Sequence, residues 1–426
     1  MRVFLVVWFG QLLSMVGTSL TGFALAVWVF QARGSVTELA LISVAAVLPG
    51  MLAAPLVGSA IDRWDRRLAM LFSDLVAGLS TVGMVALLSM DALEVEHIYV
   101  AVSINSVCTA VQMPAWSAAT ALLVPKRHLA RAGGLVQLGQ AAAMLVAPAL
   151  AGAIMLQVGV LNILLADVAS FFVGALTLLL VRFPRPAAAP DRPEAVGWKV
   201  GWRWISARPG MKGLLIFAAA SNLCLGMVHV LITPLVLGFA DASTLGLVMS
   251  TGGLGMLVGS LVMVVWGGPE RKITAVLVFS TLQGALLLLG GLRPSAWLVA
   301  AGAFGALLAF PMVQACTEAL WQTKVPPPLQ GRVFSVRNAI SASTLPLAYL
   351  LAGPLADQVF EPLLRSGGGL SLSLGPLIGV GPGRGIGLLF VAIGIFCVCL
   401  GLAAWLNPRV RLVESELPDH NAAESA

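Results

Sequence analysis

Charge is scarce within the long apolar stretches of this sequence, so the few ionisable side chains there are the natural places to look for chemistry. Asp74, Asp167 and Glu318 lie inside such stretches, and Glu38, Asp241 and Asp357 lie near their ends. A carboxyl group among apolar residues is costly to keep charged and marks a proton or ion pathway. Asp167 is the first candidate for proton coupling; its competing role is helix packing, bonded to Asn162 or Ser170. His229 is the second candidate, since an imidazole titrates near neutral pH; its plainer role is a buried, hydrogen-bonded histidine. Asp74 and Glu318 sit about two helical turns or less from the ends of their stretches, near Arg66, Lys324, Arg332 and Arg337. With Arg332 they are expected to form a gate network of ion pairs rather than to bind a substrate.

Other chemistries find little support. The four histidines (His97, His128, His229 and His420) are scattered along the chain, so no acid–base cluster, catalytic residue or metal site is assigned. Cys108, Cys224, Cys316, Cys397 and Cys399 all fall in apolar stretches without partners at ligand spacing and read as small core residues. No phosphate-cradling Gly-x4-Gly-Lys-Ser/Thr occurs. Gly379 to Gly385 misses the dinucleotide spacing and reads as a flexible external loop. No cofactor is expected. Gln11, Trp116, Gln140 and Asn222 remain as polar or amphipathic residues within apolar stretches. They are candidates for lining a cavity that suits a bulky amphipathic or hydrophobic compound, since a sugar or phosphate calls for more polar groups.

The elements that position these residues are helices in lipid. The 426 residues are 59% hydrophobic and 10% charged, with a mean hydropathy of +0.95, whereas a soluble domain carries roughly a quarter charged residues. A helix needs about 20 apolar residues to cross the hydrocarbon core, and only helices or closed barrels satisfy their backbones there. The runs are too long for the roughly ten-residue alternation of barrel strands. An all-α integral membrane protein follows, with twelve spans near 3–31, 36–61, 68–90, 97–122, 133–156, 160–181, 212–238, 243–267, 273–292, 295–321, 333–358 and 385–406.

The net charge of +6 fits this topology better than a nucleic-acid partner, which is not expected. With the N-terminus in the cytoplasm, all of the 25 Lys and Arg except Arg33, Arg293, Arg365 and Arg384 fall on the inside, as short cytoplasmic loops favour. Both termini are thus expected to be cytoplasmic. The expected domains are a six-helix bundle over 1–182, a linker over 183–211, a second bundle over 212–407 and a cytoplasmic tail over 408–426. Trp198, Trp202, Trp204 and Lys199 in the linker predict a short amphipathic helix at the interface.

An internal repeat supports the two bundles. Pro125 to Arg131 has the same spacing as Pro326 to Arg332, and Arg131 to Gly152 the same as Arg332 to Gly353. A looser echo relates Gly58…Arg66-Arg67 to Gly259…Arg271-Lys272. The sharpest local signal is Gly58-Ser59-Ala60-Ile61-Asp62-Arg63-Trp64-Asp65-Arg66-Arg67, after the second span. It is similar to the signature loop of the major facilitator superfamily. Trp8-Phe9-Gly10-Gln11, Met70…Ser73-Asp74 and Gln330-Gly331-Arg332-Val333 resemble the macrolide-efflux and siderophore (enterobactin)-exporter branch.

The resemblance implies a major facilitator fold of two pseudo-symmetric six-helix bundles. It implies that Gly58, Asp62, Arg63, Arg66 and Arg67 form a conformational latch between them. Ala147-Pro148-Ala149-Leu150-Ala151-Gly152 resembles the antiporter motif of exporters in degenerate form; Pro148 and Gly152 are its helix-kink residues. The implied function is secondary active transport by alternating access: proton-driven export of a macrolide-like drug, a siderophore or another secondary metabolite. The implied partners are a small-molecule substrate, protons and the lipid bilayer, for a monomer in the bacterial inner membrane. An importer or a lipid transporter of the same fold is the alternative, and a membrane-embedded enzyme the alternative from another class.

Overall fold

The computed structural model describes residues 2–61, 65–125, 128–181 and 198–419. The chain divides into two compact units. The first comprises Met1–Arg192 and Asp241–Ser250, the second Pro193–Ala240 and Thr251–Ala426. The described residues contain no strand. In chain order the long helices of the first unit are α1 (Arg2–Arg33), α2 (Val36–Ile61), α3 (Arg66–Ser89), α4 (Val95–Leu123) and α5 (Leu129–Leu180). A short α6 (Trp198–Ser206) and α7 (Pro209–Leu237) open the second unit. After them come α8 (Ala242–Trp266), α9 (Lys272–Leu292), α10 (Ala296–Lys324) and α11 (Pro327–Pro354). Among the described residues, 11 helices are long and apolar enough to cross a membrane.

The helix α5 is 52 residues long, far more than one crossing of an apolar layer about 30 Å thick demands at roughly 1.5 Å per residue. It is not continuous. Gly159 takes φ 74 and ψ 168, a conformation that glycine alone adopts without strain, and this breaks the helix between the segments expected at 133–156 and 160–181. In the first unit α1 packs along α5, α2 on α4, and α3 against both α4 and α5. Leu25, Val29, Leu39, Ile98 and Leu164 form one buried cluster there. Val7, Met70, Ala115 and Leu178 belong to another. In the second unit α9 packs on α10, and α7 on α11; Met211, Leu214, Val276, Leu320, Trp321 and Val333 are at its core. Large apolar side chains such as Leu79, Phe172 and Val265 point outward instead, as a surface covered by lipid rather than water allows.

Small residues set the closest helix approach. The first turns of α8 belong to the first unit and lie on the middle of α5, where Ser250 Oγ donates to the Leu145 carbonyl at 2.6 Å. A Cβ on Gly246 would overlap the Pro148 carbonyl, and one on Gly152 the Ala242 carbonyl. The kink residues are therefore also a backbone-to-backbone contact, which larger side chains would force apart.

Three features differ from the sequence expectation. The eleventh span does not end near 358: a π-helical turn at Leu355–Phe360 carries α11 on into α12 (Glu361–Leu364). The glycine-rich stretch is held rather than flexible. It follows α13 (Gly375–Ile378); Gly381 N donates to the Leu364 carbonyl at 3.1 Å, and the Glu361 carboxylate receives Gly383 N at 2.7 Å and Gly385 N at 3.1 Å. Arg384, the first residue of α14 (Arg384–Leu406), is buried and donates to the Gly291 carbonyl at 3.1 Å. Beyond α14 the segment expected as a simple tail forms α15 (Pro408–Arg411) and α16 (Val413–Glu416), which bury Val410 and Val413.

Replacing Gly246 by Val should destabilise the protein by about 1–3 kcal/mol, the usual cost of overpacking a close contact. Thermal unfolding of the purified protein measures it, and an unchanged midpoint would mean that α8 and α5 separate freely.

Candidate functional site

Two carboxyl groups are buried in the first unit, and neither has a cation for a partner among the described residues. Asp74, on α3, is 1% exposed. Gln11 of α1 donates to its Oδ2 at 3.1 Å and Gln112 of α4 to its Oδ1 at 2.6 Å. Gln112 Nε2 also reaches Gln11 Oε1 at 2.8 Å, so three helices meet in a closed polar triangle. Asp74 therefore does not sit in an ion-pair gate. It lies on the face of α3 turned toward α1 and α4, where the polar groups are amides. Gln11, expected as a cavity residue, is committed to this cluster.

Asp167, in the second part of α5, is fully buried. Thr18 Oγ1 and Ser170 Oγ donate to its Oδ1, both at 3.4 Å, while Oδ2 has no partner among the described residues and the Thr21 and Thr81 hydroxyls stand beside the group. Asn162 bonds instead to the Val158 carbonyl at 2.6 Å. The other first-unit candidates have structural surroundings. Trp116 stacks on Phe4 with ring centroids 5.7 Å apart, which makes it packing rather than cavity wall. Gln140 is half-buried on α5 and joins neither carboxyl cluster.

Of the expected latch, Asp62 and Arg63 lie outside the described residues, and Gly58 is the fourth residue from the end of α2. Arg66 opens α3. The residue before it does the local work: Asp65 caps α3, its Oδ1 accepting from Arg67 N at 2.9 Å and Leu68 N at 3.4 Å. Arg67 in turn donates through Nε to the Leu178 carbonyl and through Nη2 to the Leu179 carbonyl, each at 2.7 Å. It thus satisfies carbonyls that the end of α5 leaves open and brings positive charge to a helix C-terminus, where it is favourable.

The second unit holds a cavity of about 440 Å³, within the roughly 300–1,000 Å³ typical of ligand sites. Phe217, Asn222, Gln283, Phe310, Gln314 and Trp321 line it, from α7, α9 and α10. Gln283 is committed to the Ala306 carbonyl at 2.9 Å, whereas Asn222 and Gln314 have no protein partner among the described residues. The ionic groups here are matched: Glu318 pairs with Arg337 at 2.7 Å, and the Arg337 guanidinium lies 5.7 Å from the Trp321 ring and 5.1 Å from Phe334. Arg332 is half-buried and outside this pair; its carbonyl abuts Gly201 of α6. His229 is exposed on α7, its ring 6.4 Å from that of Tyr349, and does not line the cavity. Single charges in apolar runs thus pointed to Asp74, Asp167 and Glu318. Gln112, Gln314 and Thr18 went unnoticed and Asp65, though part of the signature loop, was given no role, although polarity within or beside a span was a usable signal for each.

Comparison with known proteins agrees with this architecture. A family model described as Major Facilitator Superfamily matches residues 7–349. Macrolide efflux protein A of Streptococcus pyogenes is 26% identical over 370 residues, covering 84% of this chain and 90% of that protein. Multidrug efflux pump Tap of Mycolicibacterium fortuitum is 26% identical over 424 residues, 96% of each. Among solved structures, the nucleoside transporter NupG superposes with a TM-score of 0.71 at 13% identity, covering 96% of this chain and 100% of that one. A bacterial homologue of the human lysosomal transporter Spinster gives 0.72 at 14% identity, covering 97% and 98%. At such identities the structures speak for the fold alone.

The Asp65 cap makes a local prediction. Asp65→Ala should cost about 1 kcal/mol of stability and speed hydrogen exchange at the Arg67 and Leu68 amides; unchanged exchange there would show that the cap is idle.

Proposed function

The chain belongs to the Major Facilitator Superfamily, and on that premise we propose that it exports a bulky amphipathic or hydrophobic compound in exchange for protons by alternating access. The observation that carries the reading is Asp74, 1% exposed and held by two neutral amides instead of a cation. A charge so placed is stabilised by hydrogen bonds alone, and a proton can neutralise it without leaving a buried cation behind. Glutamine suits both states, since its amide nitrogen donates to the carboxylate and its carbonyl oxygen accepts from the protonated acid. Asp167, surrounded by hydroxyls with Oδ2 unpartnered, is the second proton site in this reading.

The cavity in the second unit, with its free amides Asn222 and Gln314 among Phe217 and Phe310, supplies the substrate side. Its ion pair is internally matched, so it favours compounds without a strong net charge. In this reading the break at Gly159 divides α5 into two crossings, for twelve spans in all, and the concentration of Lys and Arg in the inside loops puts both termini in the cytoplasm. The bundles are then 1–182 and 212–407, joined by the linker 183–211 and followed by the segment 408–426. The loop from Gly58 to Arg67 is the latch between bundles. Its capping by Asp65 and the grip of Arg67 on α5 support a rigid base for it. The names of the relatives, a macrolide efflux protein and a multidrug efflux pump, favour export, and a bacterial inner membrane is the setting this reading requires. One charge falling through 100 mV provides about 2.3 kcal/mol, enough for roughly 50-fold accumulation.

Inverted membrane vesicles supplied from outside with a panel of radiolabelled macrolides and neutral dyes test the reading. Wild-type uptake should follow an imposed pH gradient and collapse with a protonophore. Asp74→Asn should lose at least about tenfold of gradient-driven uptake while retaining substrate exchange between the two sides. Transport indifferent to the gradient would remove proton coupling, and an Asp74→Asn variant with full gradient-driven uptake would remove Asp74 from it.

A further inference from the structure

The segment that follows α14 is held to the second unit at both apolar and charged positions. Asn407 accepts from Arg409 N at 3.1 Å and starts α15, and the chain then folds back over the ends of three helices. Val410 and Val413 are 3% and 1% exposed, seated against α7 where Gly213 and Gly210 leave room for them. The Glu414 carboxylate takes the first two amides of α9, Lys272 N on Oε1 and Ile273 N on Oε2, both at 3.1 Å. Lys324, the last residue of α10, is 3% exposed. Its ammonium donates to the Glu414 and Leu417 carbonyls, both at 2.5 Å, and pairs with Asp419 at 2.9 Å. An ammonium has three protons to donate, and the segment supplies a partner for each.

The first unit meets the same need within its own loop. There Asp65, the residue before α3, caps that helix. The residue directly before α9 is instead Arg271, which makes no side-chain cap bond and brings positive charge to a helix end that favours negative charge. We propose that the segment Asn407–Asp419 supplies from a distance the carboxylate cap that the second copy of the loop lacks. In doing so it ties α7, α9 and α10 into one body, with Glu414 and Lys324 as positioning residues for transport. These three helices contribute most of the cavity lining, so the clamp sets the geometry of that site. This last step rests on reading the cavity as the substrate site.

The test is hydrogen exchange on the full-length protein in lipid nanodiscs. Glu414→Gln should speed exchange of the Lys272 to Ala275 amides by at least about tenfold and leave those of Arg67 to Met70 unchanged. Adding Arg271→Asp, which places the cap in the loop itself, should restore protection. Lys324→Gln should loosen the segment from Val410 to Leu417 without touching α3. Unchanged exchange at α9 in Glu414→Gln, or no recovery with Arg271→Asp, overturns the clamp. The same variants assayed for exchange of a radiolabelled macrolide across vesicles should lose rate with Glu414→Gln and regain it with Arg271→Asp. Rate that ignores both substitutions overturns the link to the cavity. The exchange result does not depend on proton-driven export, so failure of the export reading and failure of the clamp are distinguishable.

Discussion

A polar group carried into an apolar layer has no water to turn to, so another part of the same chain must answer it. Most of this structure follows from that constraint. Hydroxyls inside spans fold back onto their own helices: Ser73 onto the Ala69 carbonyl, Thr120 onto Trp116, Ser260 onto Met256 and Thr281 onto Leu277. Gln283 reaches the neighbouring helix at Ala306. Helix ends face the same demand. Arg67 answers the last carbonyls of α5, Asp65 the first amides of α3, Glu361 the amides of Gly383 and Gly385, and Glu414 those of α9. Ionisable groups in this protein are thus spent first on backbone, and those with other work are conspicuous.

Packing obeys a related limit. In lipid the hydrophobic effect no longer drives helices together, because the surrounding tails are as apolar as leucine, and close contact between small residues takes its place. Pro148 and Gly152 meet α8 at Gly246 with backbone against backbone. A kink motif that resembles the exporters' pattern in degenerate form is therefore also an interhelical contact, and the alanines beside its kink residues, Ala147 and Ala151, do not prevent it. Ala147 and Ala151 are fully buried in the same helix.

How much of this was legible in the sequence depended on the range of the interaction. Apolar runs and their lengths placed the helices, because a crossing is a local property of about 20 residues. Buried carboxyls were legible for the same reason: a charge in an apolar run is visible without knowing its neighbours. Their partners were not, since Gln112 lies on a different helix from Asp74 and only the fold brings them together. Trp116 was misjudged because an aromatic ring with a polar edge suits a cavity wall as well as the stack it makes on Phe4. The stretch from Gly379 to Gly385 looked flexible because glycine permits many conformations. What holds it is Glu361, which the sequence places far away. The segment after α14 was read as a plain tail because it is short, charged and without a long apolar run, whereas two valines, Val410 and Val413, and one carboxylate suffice to dock it.

The two units treat charge differently, and the difference bears on mechanism. In the second unit Glu318 and Arg337 compensate each other at 2.7 Å, so adding a proton there would break an ion pair and leave the half-buried Arg337 guanidinium without its partner. That site is chemically stable in one charge state. In the first unit Asp74 and Asp167 are surrounded by amides and hydroxyls, each of which can donate or accept after a rotation. Such groups stabilise the carboxylate without fixing it, and they serve the protonated acid almost as well. A salt bridge would hold the charge permanently, and a bare apolar pocket would expel it permanently. A neutral hydrogen-bonding shell lies between these extremes, and only there does a small free energy, such as that of one proton moving down a membrane potential, suffice to change the state.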